Sequence, residues 1–349
     1  MAEKFVKLSH HIHIQKKISI IMFKKTFFIL TAISIGFLVI SWGRFGHEHI
    51  NRGAVMALPA PMQNFFYNHI DFLTLESTVP DLRKSTLNDK NENPRHYFDV
   101  ENFGNLDSIP RDFEVIKKKY KSDFLQDNGI LPWYIQEMTT KLTKAFSEKR
   151  KTEILFIAGD LAHYLADAHM PLHTSANHDG QLTGQNGIHS LWETKIPEMF
   201  GNDYNLYVKE VSYIENIESE TWRIIKESND LSKNLLAIEK DLRTNFDQNK
   251  IFEPNVDDKS QTNKPKNKYT KEYASKFHEK MNGMVELQMR KSVQIVANFW
   301  YTAWVNAGKP DLSNLDNDEV TSRNAKFLKK DLKLWKTGKV FGLENKKDI

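Results

Sequence analysis

The sequence predicts an all-α protein. Two stretches place apolar residues at helical spacing: Ile154, Ile157, Ala158, Leu161 and Leu165 in one, and Val285, Met289, Val293, Val296, Trp300 and Trp304 in the other. No apolar/polar alternation long enough for a strand occurs, and no internal repeat. A chain of 349 residues can bury a full core as one large domain or two small ones, and a single compact domain is expected. Cysteine is absent, which excludes disulfides and thiolate ligands; a metal would have to sit on His, Asp, Glu or backbone atoms.

Residues 1–41 read as a signal peptide, with an uncleaved anchor helix as the alternative. Lys16, Lys17, Lys24 and Lys25 precede the apolar run Phe27 to Ile40, which is short for a membrane span, and Val39 and Ser41 suit cleavage before Trp42. The basic leader is long, and Met22 is an alternative start. The expected destination is outside the cytoplasm, periplasmic or extracellular. This segment contributes +5 to the formal charge of +4, leaving −1 for residues 42–349. Such a balance gives no general drive toward nucleic acid, although a local patch remains open.

From Trp42 onward, His47, Asn51, Ala54, Val55 and Leu58 share one helical face that ends at Pro59. Pro61 opens a second helix through PMQNFFYNHIDFL. Residues 76–96 are polar and turn-rich, a long loop of the kind that is usually functional, and they carry Asp81 and His96. Helices follow around Pro110–Tyr120 and through LPWYIQEMTTKLTKAF, where Trp133, Met138 and Leu142 share a side. Residues 205–248 read as one or two amphipathic helices, 249–268 as a polar connection, and the last core helix stops at Gly308 and Pro310. The helical domain is therefore expected over 42–310 and a polar surface tail over 311–349.

The stretch from Leu161 to Glu193 carries the chemistry. His163 and Asp167 are four apart and leave one helical face. Pro171 ends that helix near Met170, His173 follows in the bend, and His189 and Glu193 repeat the spacing. One such pair is common as a surface ion pair. Two pairs with a histidine between them suit a zinc site built for chemistry, since imidazole and carboxylate without thiolate favour catalytic over structural zinc.

With these residues the sequence resembles the zinc-dependent phospholipase C / single-strand-specific zinc nuclease superfamily. The matching positions are Trp42, His47 in WGRFGH, Asp81 in VPDLRK, His96 in RHYFDV, His163 and Asp167, His173 after Pro171 and Leu172, and His189 and Glu193 in HSLWE. The resemblance implies three zinc ions in a cleft between helices. Asp81, His96, His163 and Asp167 would hold one. Trp42 and His47 would hold a second with Asp167 as a bridge, and His173, His189 and Glu193 the third. It further implies hydrolysis of phosphate esters by a zinc-activated water. Asp81 and Asp167 take part as ligands, Asp81 also as a proton acceptor, and Lys84 lies where a cation would meet the phosphate. Trp42 would bind through its own amino group and carbonyl, the amino group freed only by cleavage before it. Tyr97 falls where nucleases place a base-stacking aromatic, and Asp99 where a carboxylate supports the site. His49, His169 and His178 lie outside the pattern.

Glu193 as last ligand, the sixteen-residue step from His173 to His189 and the lack of cysteine are phospholipase-like; the five-residue step from Trp42 to His47 and Lys84 are nuclease-like. The expected function is a secreted phospholipase C-like zinc phosphodiesterase acting on a phospholipid head group. The alternative is a nuclease or 3′-nucleotidase acting on single-stranded nucleic acid, and a third reading is a catalytically idle zinc-binding protein. No obligate protein partner is evident.

Overall fold

The computed structural model describes residues 43–254 and 268–340. The expected signal peptide of residues 1–41 with Met22, the expected ligand Trp42 and most of the 249–268 connection fall outside those residues. The described chain is helical, with no strand beyond a single antiparallel bridge between Phe252 and Tyr269. No described helix is long and apolar enough to cross a membrane.

Helix α1 spans Gly43–Ala57, followed by α2, Ala60–Asn68, and α3, Ile70–Glu76. The single helix expected through residues 61–73 breaks at His69. Its imidazole lies 2.8 Å from Asp316, a contact 247 residues away in sequence and invisible to local patterning. The loop expected over 76–96 contains α4, Val79–Ser85, with Pro80 in its first turn, and a 3₁₀ turn at Asn93–Arg95. Arg83 holds this segment to its surroundings by donating to Glu92 at 3.0 Å and to Asp160 at 2.8 Å.

Three short helices come next: α5, Val100–Phe103, α6, Phe113–Lys119, and α7, Ser122–Asn128. They lead to the paired long helices α8, Leu131–Ser147, and α9, Lys151–His169. The turn between these two puts Lys149 at φ +52°. Lys149 donates its N–H to Phe146 O and Arg150 to Ala145 O, the paired bonds of a Schellman stop in which glycine is the usual residue.

Helix α9 is the axis of the molecule. It packs on α1, α3 and α8, on α12, Ile217–Asn245, and on α14, Met284–Asn306. Every residue of α9 from Leu161 to His169 is buried, so His163 and Asp167 have no solvent to satisfy them. Its last carbonyls are served from neighbours: Ser228 of α12 donates to Ala168 O at 2.6 Å, and Gln288 of α14 to His169 O at 2.9 Å.

Between α9 and α12 lie α10, Ile188–Ser190, a π-helical turn at Leu191–Lys195, and α11, Ile196–Phe200. Residues 205–248, expected as one or two helices, contain only α12; the part before it runs along α14. There Ser212 and Ile214 give their N–H groups to Asn298 and Thr302 side chains. Helix α13 covers Lys271–Lys280. Helix α14 ends in a Schellman stop at Gly308, φ +85°, where the sequence places it.

The expected tail over 311–349 includes a further helix, α15, Asp318–Trp335, which packs on α2. Its Leu328 and Trp335 are buried, and Trp335 lies against Gly53 of α1. Those contacts come from the far end of the chain and leave no mark in the local lysine-rich composition.

Candidate metal centre

His163 and Asp167 project from the buried half of α9. Around them the structure gathers His47 from α1, Asp81 from the first turn of α4, His96 from the end of the Asn93–Arg95 turn, and His173 from the 3₁₀ turn Pro171–Thr174. His189 and Glu193 come from α10 and the π-helical turn, a widened geometry often found at functional sites. Three groups have potential ligand atoms within 4.8 Å of one another: His47, His163 and Asp167; Asp81, His96 and His163; and His173, His189 and Glu193. Eight of the nine expected ligands are thus brought together, and the ninth, Trp42, precedes the first described residue. Gly43 itself lies against Thr194, next to Glu193.

The ring tautomers follow from the outer contacts. His163 Nδ1 donates to Ser77 O at 2.8 Å, His173 Nδ1 to His96 O at 2.8 Å, and His189 Nδ1 to His178 O at 2.9 Å. A carbonyl can only accept, so each Nδ1 carries a proton and each Nε2 faces inward, where a bound cation would take its lone pair. His96 is reversed: its Nε2 faces Glu92 at 3.4 Å and its Nδ1 points inward. Outer contacts of this kind orient the rings of metal-bound histidines.

Inward, ring nitrogens converge. His163 Nε2 lies 3.0 Å from His96 Nδ1, and His173 Nε2 lies 3.3 Å from His189 Nε2. Two unprotonated ring nitrogens at such distances repel unless a cation or proton lies between them. Both ring nitrogens of His47 and Oδ2 of Asp81 are buried without a hydrogen-bond partner. Buried polar atoms are rarely left so, and divalent zinc with nitrogen and oxygen donors fits this set.

Asp167, fully buried, faces two ways. Its Oδ1 is 3.6 Å from His47 Nε2, while Oδ2 is 2.9 Å from His96 Nδ1 and 3.2 Å from His163 Nε2. Burial opposes its charge, yet His163 and His173 hold its carboxyl well below the ordinary range. The same pairing acts in reverse on His163: burial lowers it, but Asp167 and Asp81 raise it to about 9. Burial pushes the Asp81 carboxyl up, against His163 and Lys84. It carries the His173 imidazole down to about 4. Glu193 is brought to about 2 by His189 and His173 despite its burial.

Lys84 Nζ stands 3.1 Å from Asp81 Oδ1 with its side chain 29 % exposed, so one cation borders the cluster and still reaches solvent. Tyr97 is half-buried and donates its hydroxyl to Gln126 O at 3.0 Å, which ties it to α7. Asp99 makes no hydrogen bond or ion pair with a ligand residue among the described residues; burial and Glu101 raise its carboxyl to about 7. His49 and His169 are spent on helix carbonyls, those of Phe45 and Leu165.

Sequence reasoning missed Glu92. It is fully buried behind His96, and Arg83, Arg95 and the Tyr164 hydroxyl all donate to it. Its four-residue spacing from His96, the same as in the two pairs singled out, was the available signal. A second missed device holds the loop before His189. Asp179 accepts from the N–H groups of Gly187 and His189, and Gln185 donates to the buried Glu239 at 2.6 Å.

A family model described as S1/P1 Nuclease matches residues 42–314, well over half of the chain. The chain belongs to the S1/P1 nuclease family. S1/P1 nucleases are zinc-dependent hydrolases of phosphodiester bonds and bind three zinc ions, in keeping with the three groups of donors. No curated protein matches the chain.

Proposed function

We propose that this protein is a nuclease with 3′-nucleotidase activity, hydrolysing phosphodiester bonds of single-stranded nucleic acid. The match to the S1/P1 nuclease family over residues 42–314 carries this reading. The phospholipase C-like reading rests on Glu193 and the spacing of His173 and His189, and it becomes the second choice because the matched family is one of nucleases.

In the proposed centre, Asp81, His96, His163 and Asp167 would hold one ion. Asp167 would also serve a second with His47 and the amino end of Trp42, and His173, His189 and Glu193 would serve the third. When bound, zinc polarises phosphoryl oxygens and lowers the pKa of water. The chain supplies the rest. Ser77, Glu92, His96 and His178 fix the ring orientations through the contacts described above. Burial keeps bulk water from competing for the ligand atoms. Lys84, its charge held by Asp81 and Asp167 against burial, offers its ammonium to a nonbridging phosphate oxygen. Asp81 Oδ1, beside that ammonium, is the proton acceptor of the proposal. Export with cleavage before Trp42, the first residue of the family match, completes the reading.

The test offers zinc-replete protein single-stranded DNA, a 3′-nucleotide and phosphatidylcholine vesicles in parallel. Hydrolysis of the first two supports the proposal. Release of phosphocholine with both nucleic-acid substrates untouched would replace it with the phospholipase reading.

A further inference from the structure

Helix α15 lies wholly beyond the residues that match the family, so its role is not set by the zinc centre. Its inner side is spent on the fold: Leu328 and Trp335 are buried, and Asp331 accepts from the Tyr67 hydroxyl at 2.5 Å. Its outer side is another matter. Arg323, Lys326, Phe327, Lys330, Lys333 and Leu334 follow one another at steps of three and one, which places them on one face of the helix. All six are exposed; Phe327 is 57 % and Leu334 42 % accessible. None of the four cations on this face has an ion-pair partner among the described residues. On α12, by contrast, Arg223, Lys226 and Lys233 all pair with acids of their own helix.

A basic face left without ion pairs among the described residues, with two large apolar side chains set among its cations, fits an anionic surface that is apolar beneath. A polynucleotide would meet the charges and could stack a base on Phe327, but Leu334 offers no ring for stacking. Lysines outnumber arginine on the face, and a lysine can lay its stem along apolar material while its ammonium stays at headgroup level. We propose that the outer face of α15 docks this protein on an anionic phospholipid surface. Arg323, Lys326, Lys330 and Lys333 lie among the headgroup phosphates, and Phe327 and Leu334 enter just below them. The proposal is independent of which phosphodiester the zinc centre hydrolyses.

The experiment measures co-sedimentation of the processed full chain with phosphatidylcholine vesicles, with and without phosphatidylglycerol, at low and raised salt. Two variants accompany it: Lys326→Glu/Lys330→Glu/Lys333→Glu and Phe327→Ser/Leu334→Ser. Circular dichroism and hydrolysis of an aryl phosphodiester check that each is folded. Binding is expected only with phosphatidylglycerol present, weakening with salt. The triple variant should partition about 100-fold more weakly or worse, from the loss of three cations near the surface. The double variant should lose the binding that survives salt. Equal binding to neutral vesicles, or triple-variant binding like the parent's, would overturn the proposal. So would a parent that ignores both vesicles yet binds a single-stranded oligonucleotide through these lysines.

Discussion

Asp167→Asn is the sharpest single perturbation of the centre. The side chain keeps its shape and one carbonyl oxygen but loses its charge and one acceptor atom. The two present oxygens face different donors: Oδ1 toward His47, and Oδ2 toward His96 and His163. The change therefore removes charge from two proposed ions at once. The group of Asp81, His96 and His163 keeps its donors and is weakened, whereas His47 is left with only the amino end of Trp42. Zinc content should fall from three ions per chain to two or one, with His173, His189 and Glu193 still occupied. Loss of one ion of a cooperating pair should lower kcat by about 10³-fold, equivalent to about 4 kcal/mol of barrier. Elemental analysis and hydrolysis of an aryl phosphodiester read the two effects. Asp99→Asn is the control, because Asp99 is a buried carboxyl with no hydrogen bond or ion pair to a described ligand residue, and it should keep three ions. An Asp167→Asn protein with full zinc and near-parent activity would refute the bridging role.

Other expectations follow from particular contacts. Asp316 accepts from Lys151, Asn68 and His69, which outweigh its burial and hold its carboxyl below the ordinary value. A depressed folded pKa stabilises above the unfolded value and stops doing so as pH falls through the folded one. Asp316→Asn should thus lower the thermal midpoint near neutrality, by about 1–3 kcal/mol in stability. Parent and variant should converge in acid below the ordinary carboxylate range, and a gap independent of pH would count against the linkage. Lys149→Gly should raise stability by about 1 kcal/mol, since glycine accepts the positive φ at the end of α8 without strain; a lowered midpoint would show that the lysine side chain matters more. Protein beginning at Trp42 should bind more zinc than protein carrying residues 1–41, whose residue 42 has an amide nitrogen. Equal zinc in the two forms would speak against the amino-terminal ligand.

What the sequence disclosed was whatever repeats at short range. The four-residue spacings of His163 with Asp167 and His189 with Glu193, the stop at Pro171 and the Gly308 end of α14 are all local signals. What it hid depends on distant partners. Helix α4 lies within a polar stretch that reads as loop and is held by Asp160, 77 residues beyond Arg83. The break at His69 and the docking of α15 depend on Asp316 and on Trp335 against Gly53, which no window of sequence brings together. Glu92 had the right spacing from His96, yet its burial behind that ring is a tertiary fact. The preference between lipid and nucleic acid was split at single positions, Glu193 against Lys84, and a comparison over the whole domain weighs more than either.

The most direct measurement is anomalous diffraction at the zinc edge from crystals of the chain starting at Trp42. Three peaks are expected. One would lie among Asp81, His96, His163 and Asp167, one beside His47 and Asp167, and one among His173, His189 and Glu193. No peak, or zinc held elsewhere on the molecule, would contradict the assignment.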